Sequence, residues 1–399
     1  MKYLDYLGDS YSEESQEFDS EKAKRFAFKE RGNLNIVLMG ATGTGKSSLV
    51  NAMFGSNVVK SGSGEPVTQY LEKIHVPAKG ITLWDTKGIE AKDYQETLEQ
   101  LKDDLRNGFE QAFSSGKDED SPHVAWLCIK ETSDRIESRD KELLGILKEF
   151  KIPTVVVFTH SLGLEKGDHF FREAINILNN EYKQFLQNRF VQVNSIAEKM
   201  KRGNVIEKFG LENLLEKTEE CLKDIERCTN FQKEKYLETL RRAQQVDIEK
   251  KKKAMIDGAE KAIHFAAAAA GTIGASPIPG SDAPIIAAIQ TKMIHSINAN
   301  FEVDMAASMA VSTIMGILGV TAVAQAGKLI VSNALKFIPI AGSLVGGAIS
   351  AATAVALTES IGFSYVKVME YFFDEKECRV ILPDDTESIL NIFKEVFKR

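Results

Sequence analysis

The run Leu34-Asn35-Ile36-Val37-Leu38-Met39 passes directly into Gly40-Ala41-Thr42-Gly43-Thr44-Gly45-Lys46-Ser47-Ser48, and then into Leu49-Val50-Asn51-Ala52-Met53-Phe54. An apolar strand, G-x-x-x-x-G-K-S and an apolar helix start constrain this chain more than any other stretch. Gly40 and Gly45 allow backbone angles that other residues avoid. The N–H groups from Ala41 through Thr42, Gly43 and Thr44 to Ser48 can then curl inward on phosphate oxygens. A helix opening near Lys46 adds the positive end of its dipole. In such a loop Lys46 reaches the β- and γ-phosphates, and the Ser47 hydroxyl is a ligand for Mg²⁺.

At 399 residues the chain is long enough for two domains, each with its own core. A net charge of −7 supplies no general attraction to nucleic acid or anionic lipid, so no specific nucleic-acid partner is indicated. The four cysteines, Cys128, Cys221, Cys228 and Cys378, lack C-x-x-C or metal-ligand spacing. They read as reduced thiols of a cytoplasmic protein. Residues 1–31 form an acidic, polar segment with isolated aromatics and no signal-peptide pattern, either a tail or a docking helix.

From Gly32 to about Arg227 strands and helices alternate. The apolar pattern predicts strands over Asn35–Met39, Leu71–Val76, Ile81–Trp84, Val124–Ile129, Thr154–Phe158 and Phe190–Val193. Helices are expected over Lys46–Phe54, Tyr94–Phe113, Arg139–Phe150, His169–Phe185 and Leu211–Cys228. Wholly apolar strands such as Val155-Val156-Val157-Phe158 suit a sheet covered on both faces, so the fold class over 32–227 is α/β with a mostly parallel sheet. Ligands of such sheets sit at the carboxyl ends of the strands. The remainder, 228–399, reads as an all-helical domain. It starts with a long charged helix, Phe231–Lys261, continues through alanine-rich Phe265–Ala275, and breaks at Pro277-Ile278-Pro279-Gly280-Ser281-Asp282-Ala283-Pro284. Amphipathic helices close it at about Ile361–Phe373 and Thr386–Lys398.

Two further motifs follow the phosphate loop in order. Asp85-Thr86-Lys87-Gly88 comes directly after an apolar strand, placing Asp85 to hold Mg²⁺ through water and the Gly88 N–H near a γ-phosphate. Thr68, in Pro66-Val67-Thr68, is either the second hydroxyl ligand of the metal, in a loop that a γ-phosphate orders, or a threonine opening a strand. With Gly40–Ser47 these residues resemble the first three motifs of the Ras- and Era-like GTPases. The resemblance implies GTP and GDP as ligands and Mg²⁺ as cofactor.

The base-reading motif departs from that family. It expects [NT]-K-x-D, and here the chain reads Thr159-His160-Ser161-Leu162, with no carboxylate at Leu162. A similar Thr-His occurs in septin-like and chloroplast-import GTPases, which implies His160 against the base beside Thr159; a loop histidine without base contact is the other reading. Asn194 and Ser195 fall where the family closes on the base. Ile89 stands where Ras-like enzymes carry a water-positioning glutamine and cannot hydrogen-bond water. Intrinsic turnover is therefore expected to be slow. Lys46 and Thr68 are the candidate catalytic residues, with Thr42, Lys87, Glu90 or a second G domain across a homodimer as further sources of help.

The stretch from Ala243-Gln244-Gln245-Val246-Asp247-Ile248 through Ser276–Ala283 to Gln290-x-x-Met293-Ile294 is similar to a helical domain of unknown function, family 697, that follows Era-like GTPase domains in bacterial proteins, some resembling immunity-related and dynamin-like GTPases. Within it, Met305–Gly327 and Phe337–Thr358 carry no charge. Their length fits a membrane span and Gly342-x-x-x-Gly346 fits helix packing in lipid, but their Ala, Gly, Ser and Thr content fits a soluble bundle equally. Lys250–Lys253 is either a lipid-facing basic block or a solvated helix face. The expected protein is thus a GTP-hydrolysing switch whose nucleotide state controls a helical effector domain. A membrane-remodelling or pore-forming machine and a non-hydrolysing switch on a protein or ribosomal partner are the alternatives.

Overall fold

The computed structural model describes residues 2–15, 17–55, 58, 63–86, 94–199, 205–273, 282–306, 309–310, 312–313, 328–329 and 351–397. It divides into two compact units, Gly32–Asp247 and Met1–Arg31 together with Ile248–Arg399.

The first unit is built on a seven-stranded sheet. Its strands are β1 (Leu34–Met39), β2 (Ser63–Pro66), β3 (Leu71–Val76), β4 (Ile81–Thr86), β5 (Val124–Lys130), β6 (Thr154–Thr159) and β7 (Phe190–Gln192). In space they run β2-β3-β4-β1-β5-β6-β7. β1 pairs in parallel with both β4 and β5, and β5-β6-β7 continue in parallel. β2 and β3 are antiparallel additions at one edge. Alternate side chains of β1 enter two cores. Leu34, Ile36 and Leu38 join one core with Leu49, Met53, Leu215 and Leu240, while Val37 and Met39 join another with Trp84, Phe109, Leu144 and Leu178. Both faces are covered by helices, as a parallel sheet requires. The polar Asn35 within β1 is satisfied: its Nδ2 donates to Glu119 O at 2.7 Å, and its Oδ1 accepts from Trp84 Nε1 at 2.9 Å. The edge strand β2, sequence SGEP, has no apolar alternation and escapes prediction.

The long helix expected over Phe231–Lys261 is two helices, Asn230–Ala243 and Ile248–Ile273. No glycine or proline stops the first. Instead Gln244 folds back, its Oε1 accepting from the N–H groups of Val246 at 2.6 Å and Asp247 at 2.8 Å. That bonding replaces the next helical turn. The unit boundary falls here rather than at 227, because Tyr236, Leu237, Leu240 and Ala243 pack into the sheet core. The preceding helix is also shorter than expected, Leu211–Lys223.

In the second unit the helix Ile248–Ile273 packs on Asp282–Asn300 and on Ala351–Tyr371, which in turn carries Thr386–Phe397. The alanine-rich stretch serves close approach: Ala266, Ala269 and Ala270 are buried, and a Cβ on Gly362 would stand 2.6 Å from Ile263 Cγ1. The N-terminal segment docks on this unit. Tyr3–Leu7 and Ser20–Glu30 pack against Asp282–Asn300, burying Tyr6, Leu7 and Phe18 in the helical core. They cover an unusually polar helix. Lys292 Nζ donates to Tyr6 O and lies over the rings of Tyr6 and Phe26, and Ser20 Oγ meets His295 Nε2 at 2.8 Å. Pro284 lies in the first turn of that helix, where a missing N–H breaks no helical bond. Most of the apolar run over 305–358 lies outside the described residues, so the choice between span and core falls there. Among the described residues no helix is long and apolar enough to cross a membrane.

Two buried histidines make both units sensitive to acid. Beneath the sheet, His123 accepts the Asn35 N–H on Nδ1 at 2.9 Å while Nε2 meets Asp118 O at 2.9 Å, an arrangement that holds the neutral ring. Burial, then the Arg227 charge, pushes its pKa down to about 3; burial, then Lys24, pushes that of His295 down to about 4. Both rings bind a proton more readily unfolded, so stability is full above the ordinary histidine pKa and is lost as pH falls below about 6.5. Thermal midpoints of the full chain are expected to drop steadily between about pH 6.5 and 4. His295→Gln should flatten the profile of the helical unit, read by hydrogen exchange; a profile unchanged by it would contradict this origin.

Candidate functional site

The phosphate loop leaves β1 at the carboxyl edge of the sheet and enters the helix Lys46–Phe54. Three glycines have positive φ: Gly40 at 141°, Gly43 at 77° and Gly45 at 83°. Gly40 cannot carry a side chain, since its Cβ would stand 2.4 Å from the Cys128 carbonyl oxygen of β5. The carbonyl oxygens of Gly40 and Ala41 accept from Lys46 Nζ at 2.9 and 3.4 Å, which draws the buried lysine across the loop. Thr44 tightens the turn, its Oγ1 donating to Ala41 O at 2.9 Å. Ala41 and Ser48 are half-buried, whereas Thr42, Gly43 and Ser47 are exposed, the last with its hydroxyl in the first helical turn.

The far end of that helix is also tied. The Gln245 N–H donates to Met53 O at 2.9 Å, and Gln245 Nε2 donates to Asn51 O and Ala52 O at 3.1 and 3.2 Å, closing carbonyls that a helix end leaves open.

Register brings the second and third motifs to the same edge. Leu38 of β1 is opposite Asp85 of β4, and Thr86 is opposite Leu71, three residues beyond Thr68. Thr86 Oγ1 donates to Leu38 O at 3.0 Å and fixes this turn-off. Asp85 Oδ1 and Thr68 Oγ1 are both buried with no hydrogen-bond partner among the described residues. Two orphaned oxygens at this edge of the sheet and the exposed Ser47 hydroxyl of the loop are hard donors of the kind Mg²⁺ takes, so the residues fit that ion. Burial pushes the Asp85 carboxyl up, against the opposing pull of Lys46. Metal-supported affinity should therefore begin to fall at a higher pH than an ordinary aspartate would give as the solution is acidified. Asp85→Asn is expected to remove most of the Mg²⁺ dependence of nucleotide affinity in titrations with and without the metal. Gly88, with Lys87, Ile89 and Glu90, lies outside the described residues.

On the other side, Thr159 ends β6 and its Oγ1 donates to Thr44 O at 2.6 Å, binding the base-side loop to the phosphate loop. His160 adopts a left-handed φ of 53°, and its ring lies so close to Gly45 that a Cβ there would stand 2.8 Å from Cε1. Both expected residues therefore sit at the phosphate loop. Asn194, just past the end of β7, is held by the following loop. It pairs through its backbone with Phe209, and its Nδ2 donates to Glu207 O at 3.0 Å, so the amide nitrogen ties down the following loop. Ser195 is half-buried beside it. The sequence reading missed the partners that hold these groups: the Cys128 carbonyl, Thr86 and Gln245. None has a motif of its own, although a threonine within D-T-x-G at a strand end was a signal available for one of them.

A glycine loop between a central parallel strand and a helix, with a lysine, hydroxyls and a carboxylate converging on it, defines a P-loop nucleotide-binding domain. Residues 35–160 match the family model described as 50S ribosome-binding GTPase, and residues 236–380 match the domain of unknown function DUF697. The chain thus joins a P-loop GTPase domain to a DUF697 domain. Solved structures similar to it include a probable GTP-binding protein engB, 20% identical with a TM-score of 0.34, covering 48% of this chain and 99% of that one. A point mutant of Aquifex aeolicus Era bound to GDP.AlF4⁻ is 19% identical with a TM-score of 0.29, covering 46% of this chain and 55% of that one. A point mutant of S. thermophilus NFeoB bound to mGDP is 13% identical with a TM-score of 0.29, covering 84% of this chain and 98% of that one. No curated protein matches the chain.

Proposed function

We propose that the chain is a Mg²⁺-dependent GTP-binding and GTP-hydrolysing switch of low intrinsic rate. The observation that carries this reading is the pair of orphaned oxygens at one edge of the sheet, Asp85 Oδ1 on β4 beside the phosphate-loop strand and Thr68 Oγ1 just ahead of β3. The metal's contribution is to neutralise charge on the phosphate oxygens. Lys46 exchanges its hold on Gly40 O and Ala41 O for phosphate oxygens, and the loop N–H groups hold the remaining charge. Thr68 follows the γ-phosphate and orders the segment ahead of β3. A route to the helical effector runs through Gln245, which grips the end of the phosphate-loop helix two residues before the unit boundary.

Phosphate release from GTP under single-turnover conditions tests the reading. Turnover on the order of 10⁻⁴ to 10⁻² s⁻¹ is expected, dependent on Mg²⁺ and reduced about tenfold or more in Thr68→Ala. Turnover indistinguishable from the uncatalysed background at high protein concentration, with GTP still tightly bound, would instead leave a binding switch without hydrolysis.

A further inference from the structure

The base side of the site holds more acidic groups than it can offer to a base. Guanine presents N1–H and a 2-amino group side by side, and a carboxylate is the acceptor that takes both. At the position where the related motif supplies one, this chain has Leu162, half-buried in a cleft with Leu164, Glu131 and Gly167. Three described carboxylates stand close in the fold, on the loop after β5 and in the helix after β6. Each has a partner. Glu131 Oε2 accepts from Gln192 Nε2 at 2.9 Å, and its other oxygen lies so close to Gly167 that a Cβ there would stand 2.0 Å away. Asp134 pairs with Lys166 at 2.7 Å. Asp168 accepts from the same Gln192 amide at 3.1 Å. Asn194 is turned to Glu207 O, and residues 200–204, Met-Lys-Arg-Gly-Asn, include no acid.

What the loop after β6 does offer is His160 beside Gly45 and the buried Ser161 hydroxyl, which has no hydrogen-bond partner among the described residues. Imidazole and hydroxyl groups can donate to a 6-keto oxygen, which guanine and hypoxanthine share.

We infer that this site holds a 6-keto purine nucleotide without reading the N1–H and 2-amino edge, so that Leu162 sets a nucleotide specificity broader than guanine alone. The inference rests on the nucleotide reading above and deepens it. Discrimination of this kind comes from a built acceptor left unpaired by the wrong ligand, and here no such acceptor is built among the described residues.

Competition against a fluorescent GDP analogue on the full chain, using GTP, ITP and ATP, tests it. GTP and ITP should bind within about threefold of each other. Leu162→Asp should raise the GTP-over-ITP ratio by about tenfold or more, the gain of one charge-assisted hydrogen bond. A wild-type preference for GTP over ITP above about thirtyfold would overturn the inference whether or not the variant folds. ATP binding as tightly as GTP would overturn the 6-keto reading and with it the inference. Absence of any nucleotide binding would overturn both.

Discussion

Lys46→Ala is expected to weaken GTP and GDP binding by about a hundredfold to ten-thousandfold. The lysine is the fixed positive charge that the phosphate loop brings to the mouth of the site, and its Nζ already lies 2.9 Å from an oxygen of that loop. Little chain entropy remains to be lost when phosphate oxygens replace those carbonyls. Charge-assisted hydrogen bonds contribute about 1.5–3 kcal/mol each, and two are lost with the ammonium. The truncation also removes a buried cation, so folding should not suffer. Isothermal titration would give the affinity and a melting curve the stability. Retained micromolar affinity in a folded variant would contradict the assignment.

The second large effect is expected in the helical unit. Glu302 stands just past the end of the helix Asp282–Asn300 with a left-handed φ of 59°. The Val303 N–H donates to Asn298 O at 2.9 Å and closes the turn. Glycine usually fills such a position. A glutamate is kept because its carboxylate faces buried cations: Lys251, fully buried, at 2.9 Å, and Arg31, which its field also reaches. Glu302→Ala removes the carboxylate 2.9 Å from buried Lys251, for a loss of about 3–5 kcal/mol. Lys251→Met should cost less, because Arg31 still neutralises the glutamate. Unfolding midpoints in urea for the two variants would check the order; equal losses, or a larger loss for Lys251→Met, would contradict it.

Much of the first unit was legible in its sequence, and the reason is physical. A sheet buried on both faces writes continuous apolar runs such as Val124–Ile129, and the loops that hold phosphates need glycines at fixed spacing. What stayed hidden depends on single side chains acting at a distance in the chain. Gln244 stops a helix without a breaker residue, and Gln245 closes the end of a helix nearly two hundred positions earlier. The N-terminal segment read as either a tail or a docking helix, because its apolar groups, Tyr3, Tyr6, Leu7 and Phe18, are few and scattered; in the fold they complete the helical core. Lys292 and His295 gave no hint of burial, since the groups that satisfy them, Tyr6 O and Ser20, come from that same segment. At the site, only the fold ties Thr159 to the Thr44 carbonyl and the Asn194 amide to Glu207 O.

Hydrogen–deuterium exchange of the full chain, with Mg²⁺ and a slowly hydrolysed GTP analogue against no nucleotide, addresses the central claim most directly. Protection is predicted in peptides covering Gly40–Ser48, Thr68–Leu71 and Trp84–Thr86, and its disappearance in Lys46→Ala. Exchange at those peptides that is unchanged by saturating nucleotide would contradict the assignment of this edge of the sheet as the nucleotide site.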